Sequence, residues 1–203
     1  DNDECIECYS DGDCDDNLFC NGAETCEGGS CQAGSDPCPG HNCDESNEQC
    51  LTGPVEKTVG NTLVFSYVTT AGNRRAMPYT MPESGTIQSI TMYHQGGSGD
   101  VLLGVYAGSE FPDSRIAVTA STPINASAGW QTVELLEPVY VEEGERIWLA
   151  WVFEQNPGIR YQIGSPGRAQ SSRVWANGMP ETFGSSVTRS YIYSIYADYI
   201  TGP

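Results

Sequence analysis

Eight cysteines, Cys8, Cys14, Cys20, Cys26, Cys31, Cys38, Cys43 and Cys50, are separated by five, five, five, four, six, four and six residues. Thiols in such a run either bond to one another or hold a metal. Zinc sites usually show CxxC pairs, and among these eight cysteines there is none. The spacing therefore predicts a disulfide framework, which persists in oxidising surroundings. Between the first cysteines lie Asp11, Asp13 and Asp15, alternating as hard oxygen donors for calcium do. The twelve-residue calcium-loop pattern would place glycine sixth and glutamate twelfth, where this chain has Asp16 and Gly22. The pattern holds for its first half only, so calcium is an expected cofactor beside the plainer reading of a solvated acidic turn.

Residues 1–50 hold too little apolar surface to position these groups by burial. Ile6, Tyr9, Leu18 and Phe19 are their main large apolar side chains. A segment so short and polar needs covalent staples or a metal. Eight cysteines allow 105 pairings, and the spacing does not choose among them. A ninth, Cys5, is left over, and Glu4-Cys5-Ile6 echoes Gln49-Cys50-Leu51. Cys5 thus reads as unpaired, or as the last cysteine of a preceding module that bonds outside this one. The chain begins at Asp1 without an apolar leader, as a processed secreted product would.

Charge is as unevenly placed as cysteine. Residues 1–50 carry 14 acidic side chains and no Lys or Arg, while the rest carries 13 acidic and all 9 basic ones. This balance excludes nucleic acid as a partner, since phosphate recognition needs basic patches. No stretch approaches the roughly 20 apolar residues of a membrane-spanning helix, so no membrane insertion is expected. Concentrated negative charge favours an extended shape, bound cations or a basic partner. Arg74 and Arg75 are expected in a loop, and Arg160, Arg168 and Arg173 cluster around Tyr161 and Trp175. The guanidinium fork suits carboxylates. Asp16 and its neighbours on one copy are thus expected to meet Arg160, Arg168 and Arg173 on the next. Such a heterologous contact gives fibres unless it closes into a ring.

The run Cys8-Tyr-Ser-Asp-Gly-Asp-Cys14-Asp-Asp-Asn-Leu-Phe-Cys20-Asn-Gly-Ala-Glu-Thr-Cys26, continued through Pro37-Cys38, resembles a cysteine-rich repeat that occurs in tandem in large secreted proteins of aquatic microbes. The likeness covers residues 5–50. Trp130-Gln-Thr-Val and Ile147-Trp-Leu-Ala-Trp-Val-Phe153 resemble jelly-roll modules of similar proteins. The chain is also similar to subunits of extracellular fibrils from freshwater microbes. These resemblances imply an extracellular or cell-surface location, a modular or structural role and no catalysis.

From about residue 55 the chain must fold by packing. Strands are expected at 62–69, 76–81, 85–94, 100–107, 115–120, 130–136, 138–142, 146–153, 158–163 and 190–200, with Gly- and Pro-containing turns between them. The expected architecture is all-β. It comprises a disulfide-rich acidic module (1–50), a hinge (51–54) and an antiparallel, jelly-roll-like β-sandwich (55–203). In Arg146-Ile-Trp-Leu-Ala-Trp-Val-Phe153, Ile147, Leu149, Trp151 and Phe153 alternate with Trp148, Ala150 and Val152, so both faces are apolar. The second face requires cover from a loop, the cysteine module or another copy. The run 191–200 has the same character.

Signals for catalysis are sparse. His41 and His94 are the two histidines, without a triad signature, and there is no phosphate loop or zinc-protease motif. Glu142 and Glu143 adjoin Gly144 in an expected turn. The sequence reads as a non-enzymatic structural subunit forming a homopolymer. The alternative is a carbohydrate-binding or adhesion module, with Tyr161 and Trp175 as a ring platform for a polysaccharide. Asn125-Ala-Ser127 is an N-glycosylation acceptor pattern.

Overall fold

The computed structural model describes residues 7–39, 42–51 and 53–202. The chain is all-β and forms two compact units, one running up to Val55 and taking in Gly202, the other spanning Glu56–Thr201. Among the described residues no helix is long and apolar enough to cross a membrane.

The first unit is built on four disulfides, Cys8–Cys26, Cys14–Cys31, Cys20–Cys43 and Cys38–Cys50. Each ring overlaps the next, so every described residue between Cys8 and Cys50 lies within a covalent loop. Two hairpins carry half of the cysteines. β1 (Thr25–Glu27) pairs with β2 (Ser30–Gln32), setting Cys26 opposite Cys31. Their two-residue turn is Gly28-Gly29, both at positive φ, as the twist of a tight hairpin demands. β3 (Asn42–Asp44) pairs with β4 (Gln49–Leu51), setting Cys43 opposite Cys50. Cys8 and Cys38 are the buried apolar side chains of this unit before Val55, among the described residues. The staples are its core.

The second unit is an antiparallel sandwich. Its strands are β5 (Val55–Gly60), β6 (Tyr67–Thr69), β7 (Arg75–Thr80), β8 (Gly85–His94), β9 (Asp100–Ala107), β10 (Arg115–Val118), β11 (Thr122–Pro123), β12 (Gly129–Val141), β13 (Arg146–Phe153), β14 (Ile159–Ser171), β15 (Ser186–Tyr193) and β16 (Ile195–Thr201). The hydrogen-bonded order is β10-β9-β13-β7-β14-β8-β16-β5, with β12 on β8, β11 on β9, and β6 and β15 on β14. The 13-residue β14 joins the two layers. Ile159 pairs with His94 of β8, while Ala169 and Gln170 pair with Ala76 and Arg75 of β7. A register shift between Ile163 and Arg168 turns this corner. Fully buried Ser194 makes a second corner: β15 ends on β14, and β16 restarts on β8.

The central β13 has the expected two-sided burial. Ile147, Leu149, Trp151 and Phe153 enter the main core with Met77, Ile90, Leu103 and Ile195. Trp148, Ala150 and Val152 enter a second cluster with Tyr106, Met179 and Phe183. The cover for the second face is thus the segment 172–185 of the same domain, and this strand does not seal a joint between copies.

Several elements differ from expectation. β5 was not anticipated, because Glu56 and Lys57 interrupt its apolar pattern. Lys57 bonds both carboxylate oxygens of Glu83 at 2.7 and 2.9 Å, and the Tyr199 hydroxyl donates to the same carboxylate at 3.0 Å. Burial, with Glu83 beside it, pushes the Tyr199 phenol up to about 12. Two expected strands merge into β12 through a register shift between Glu134 and Val139. β14 continues through Ser165-Pro166-Gly167, which reads as a turn in sequence. The expected strand 190–200 divides at Ser194.

Candidate functional site

Seven of the eleven described carboxylates of the acidic module, those of Asp11, Asp13, Asp15, Asp16, Asp36, Asp44 and Glu45, accept from its own backbone. Asp13 Oδ2 accepts from the Tyr9 and Ser10 N–H groups, both at 2.8 Å, and from the Ser10 hydroxyl. These bonds, led by that from Tyr9, hold the Asp13 carboxyl below its ordinary range. Asp11 accepts from Cys26 N at 2.8 Å, Asp15 from Asn17 N and Asp16 from Leu18 N, both at 2.9 Å. Glu45 accepts from Phe19 N and Cys20 N, fixing the turn that carries Cys20. The expected grouping of Asp11, Asp13 and Asp15 is not formed. Alternation in a coil does not impose convergence, and each carboxylate turns to a different N–H. Asp15 instead gathers with Asp16 and Glu24, their oxygens within 4.8 Å of one another. If calcium binds this module, its carboxylate donors lie there. An open cleft of about 590 Å³ runs past Asp11, Asp15, Leu18, Phe19, Glu24 and Glu48. Cys5 and His41 lie outside the described residues.

The arginines differ most from the sequence reading. Arg74 and Arg75 are buried, 1% and 4% exposed, and Arg75 opens β7. Arg74 donates from Nη1 to Gly178 O at 2.9 Å and from Nη2 to Phe183 O, with its guanidinium 4.8 Å from the Phe183 ring centre. Arg168 is 5% exposed and donates from Nε to the Tyr193 hydroxyl. It cannot present its charge to another copy, because the core side of β14 takes it in. Arg160 is half-buried, holding Ser66 O at 3.0 Å and Gln95 Oε1 at 3.3 Å. Arg173 is exposed, as is Arg189 on β15. Of the three arginines assigned to the interface, Arg173 is exposed, Arg160 is part-exposed with its guanidinium engaged by Ser66 and Gln95, and Asp16 is exposed on the acidic module.

The expected ring platform is not formed either. Tyr161 is half-buried in a stack with Tyr67, Tyr191 and Tyr193, at centroid distances of 5.6, 5.3 and 5.7 Å. Trp175 packs against the second apolar cluster. A different aromatic group lies on the outer face of the β12-β8-β16 layer. Trp130 stands opposite Tyr93, ring centres 5.5 Å apart, and contacts Tyr196 at 5.2 Å. Along the same face Asp198 Oδ2 accepts from Ser89 Oγ at 2.8 Å and Thr91 Oγ1 at 3.0 Å, and Thr91 meets Thr132 at 2.8 Å. Strict alternation in Ile195-Tyr-Ala-Asp-Tyr199, with Ile195, Ala197 and Tyr199 buried, was the available signal for this face.

His94 is structural. Its Nδ1 accepts from Gly96 N at 3.0 Å, which leaves Nε2–H to donate to Gln131 Oε1 at 2.8 Å. Burial holds the imidazole below its ordinary pKa, so the ring is neutral near pH 7. Gln131 passes the tie onward to Pro123 O and Asn125 N. Asn125 itself is exposed, and Glu142 and Glu143 are exposed in the turn before β13.

No family model matches the chain, and no curated protein matches it. Among solved structures, a chain from infectious bursal disease virus, strain Gx, is similar over 85% of this chain, at 12% identity and a TM-score of 0.33. A chain of the T13 particle of the same virus is similar over 85%, at 10% identity and a TM-score of 0.33. The match spans 39% and 37% of those viral chains, well under half their length.

Proposed function

We propose that the protein is a non-enzymatic extracellular structural subunit whose acidic module docks onto the β-domain of another copy, building a fibre or surface array. The observation that carries this reading is an exposed apolar strip beside a cation on the β-domain. Leu63, Val64, Tyr67 and Val68 are exposed along β6 and the segment before it, and Ile163 is 71% exposed on the neighbouring β14. β6 pairs with β14 on one side, and its other edge is unpaired among the described residues. Apolar surface along a free strand edge marks an association site. Arg160 stands opposite Val68 in this register. The acidic module offers the complement: Tyr9 and Leu18 are exposed beside Asp13 and Asp16, whose carboxylates accept from backbone N–H groups and have no cationic partner among the described residues. His94 is committed to Gly96 N and Gln131, while Glu142 and Glu143 lie exposed in a turn. Four disulfides support an oxidising compartment, and the resemblance of residues 5–50 to a secreted repeat supports an extracellular one.

Sedimentation and negative-stain electron microscopy of the full chain test the reading. Oligomers or fibres are expected at low ionic strength, receding as salt screens the charges. Reversing Arg160 and Arg173 to glutamate should raise the concentration needed for assembly by roughly tenfold or more. A monodisperse monomer at millimolar concentration in low salt would overturn it.

A second reading, a carbohydrate-binding module, is favoured by the outer-face group of Trp130, Tyr93, Tyr196 and Asp198. Aromatic rings beside a hydrogen-bonded carboxylate suit a sugar's apolar face and its hydroxyls. Retention of the protein by a polysaccharide in affinity electrophoresis should fall about tenfold in Trp130→Ala, which corresponds to about 1.4 kcal/mol. Equal retention of the wild type and the variant rules this face out.

A further inference from the structure

Tyr193 ends β15 with its ring against Trp151, centroids 4.8 Å apart. Its hydroxyl oxygen receives two guanidinium N–H groups, Arg75 Nη1 at 2.8 Å and Arg168 Nε at 3.3 Å. All four side chains are sealed in: Trp151 is 0% exposed, Tyr193 1%, Arg75 4% and Arg168 5%. The two charges share one oxygen, so their nearest nitrogens are at most about 6 Å apart, the sum of those two contacts.

The unmet hydrogen-bonding groups in this cluster are all donors. Arg75 Nε, Arg168 Nη1 and Trp151 Nε1 are buried without a partner. The Tyr193 hydroxyl accepts twice, and its own proton meets no acceptor among the described residues. Nor does a carboxylate compensate: the one ion pair among the described residues is Lys57–Glu83. The ring faces of Tyr193 and Tyr191 lie 5.7 and 5.6 Å from the two guanidinium carbons and offset part of the charge. They leave the in-plane N–H groups unmet. Burial, with the Arg168 charge beside it, holds the Arg75 guanidinium below its ordinary range. Buried charge in proteins is paired or neutralised, and buried donors are satisfied. Both requirements here call for the same thing, a negatively charged acceptor.

We propose that Arg75, Arg168, Tyr193 and Trp151 form an interior binding site for a small inorganic anion of halide size. The burial of every member argues against a carboxylate side chain reaching in from another molecule. Water would meet single donors and leave two cations uncompensated. The site draws on β7, β13, β14 and β15, so an anion there ties the layer-switching strand to the central sheet. This inference is independent of either functional reading above.

Thermal melts of the full chain in sodium chloride and in sodium gluconate, at matched ionic strength and pH 7, test it. Gluconate, a bulky organic anion, serves as the control. In chloride the β-domain transition should rise by roughly 3–5 °C for each tenfold increase in concentration above the dissociation constant. In Arg168→Met the difference between the two salts should vanish. Equal melting of the wild type in both salts, or a chloride increment retained in full by Arg168→Met, overturns the proposal. If the variant does not fold, crystals of the wild type grown in bromide decide. An anomalous peak within about 3.5 Å of the Arg75 and Arg168 nitrogens upholds the site, and its absence overturns it.

Discussion

Arg74→Met should lower the melting temperature of the β-domain by roughly 10 °C. Arg74 anchors the segment 172–185 that covers Trp148 and Tyr106, donating to two carbonyls in that segment, Gly178 O and Phe183 O. Its backbone is tied to the same region, with Arg74 N on Arg173 O at 2.7 Å and Ser171 N on Arg74 O at 3.1 Å. Methionine keeps much of the side-chain volume and removes every side-chain donor. Each orphaned carbonyl costs about 1–3 kcal/mol, and loosening of Phe183 against Tyr106 adds to that, for a total near 4 kcal/mol. In a domain of this size 1 kcal/mol is worth about 2–4 °C. Calorimetry reads the shift, and hydrogen exchange localises it to residues 175–183. The remaining ties, Tyr106 Oη to Pro180 O at 2.7 Å and Arg115 Nη1 to Met179 O, should keep the domain folded. A shift under 2 °C with protection of 175–183 intact would show that Arg74 is not the anchor.

Reduction of the disulfides should unfold residues 7–51 completely and leave the sandwich standing. The closed loops have sequence separations of 18, 17, 23 and 12. Loops of that length are worth about 3 kcal/mol each in the chain-entropy account. Their sum is of the order of a whole small domain's stability, and Cys8 and Cys38 are themselves the buried apolar groups. Fourteen like charges in residues 1–50 then drive the released segment apart. Hydrogen exchange after treatment with a phosphine reductant should show full exchange across 7–51 and unchanged protection in β8, β13 and β16. Surviving protection in β1 to β4 would disprove the dependence on staples.

The legible part of this fold is the part governed by alternation. β13 was read residue by residue, since a strand with apolar side chains at every position must be buried on both faces. The turn residues bounded β8 and β9 for the same reason, because Gly-rich loops close apolar runs. What escaped was decided by tertiary context. Arg75 falls on the Met77 face of β7, and only the prior that arginine stays at the surface kept it out of the expected core. Arg168 was misplaced because Ser165-Pro-Gly167 reads as the end of a strand, whereas β14 continues through it. Asp11, Asp13 and Asp15 looked alike in sequence and serve three different backbone groups. The outer-face group of Trp130, Tyr93 and Tyr196 depends on which strands become neighbours. No local pattern encodes that.

The overlapping bridges also limit how far this unit can be stretched. Pulled from Cys8 to Cys50, the shortest covalent route crosses to Cys26, runs back to Cys20, crosses to Cys43, runs back to Cys38 and crosses again. That is about 11 residues, or near 40 Å of extended backbone plus three bridges, against roughly 150 Å for the unbridged segment. A module wired in this way is a tether of fixed maximum length. Under tension it stiffens early, and it returns to the same register when released.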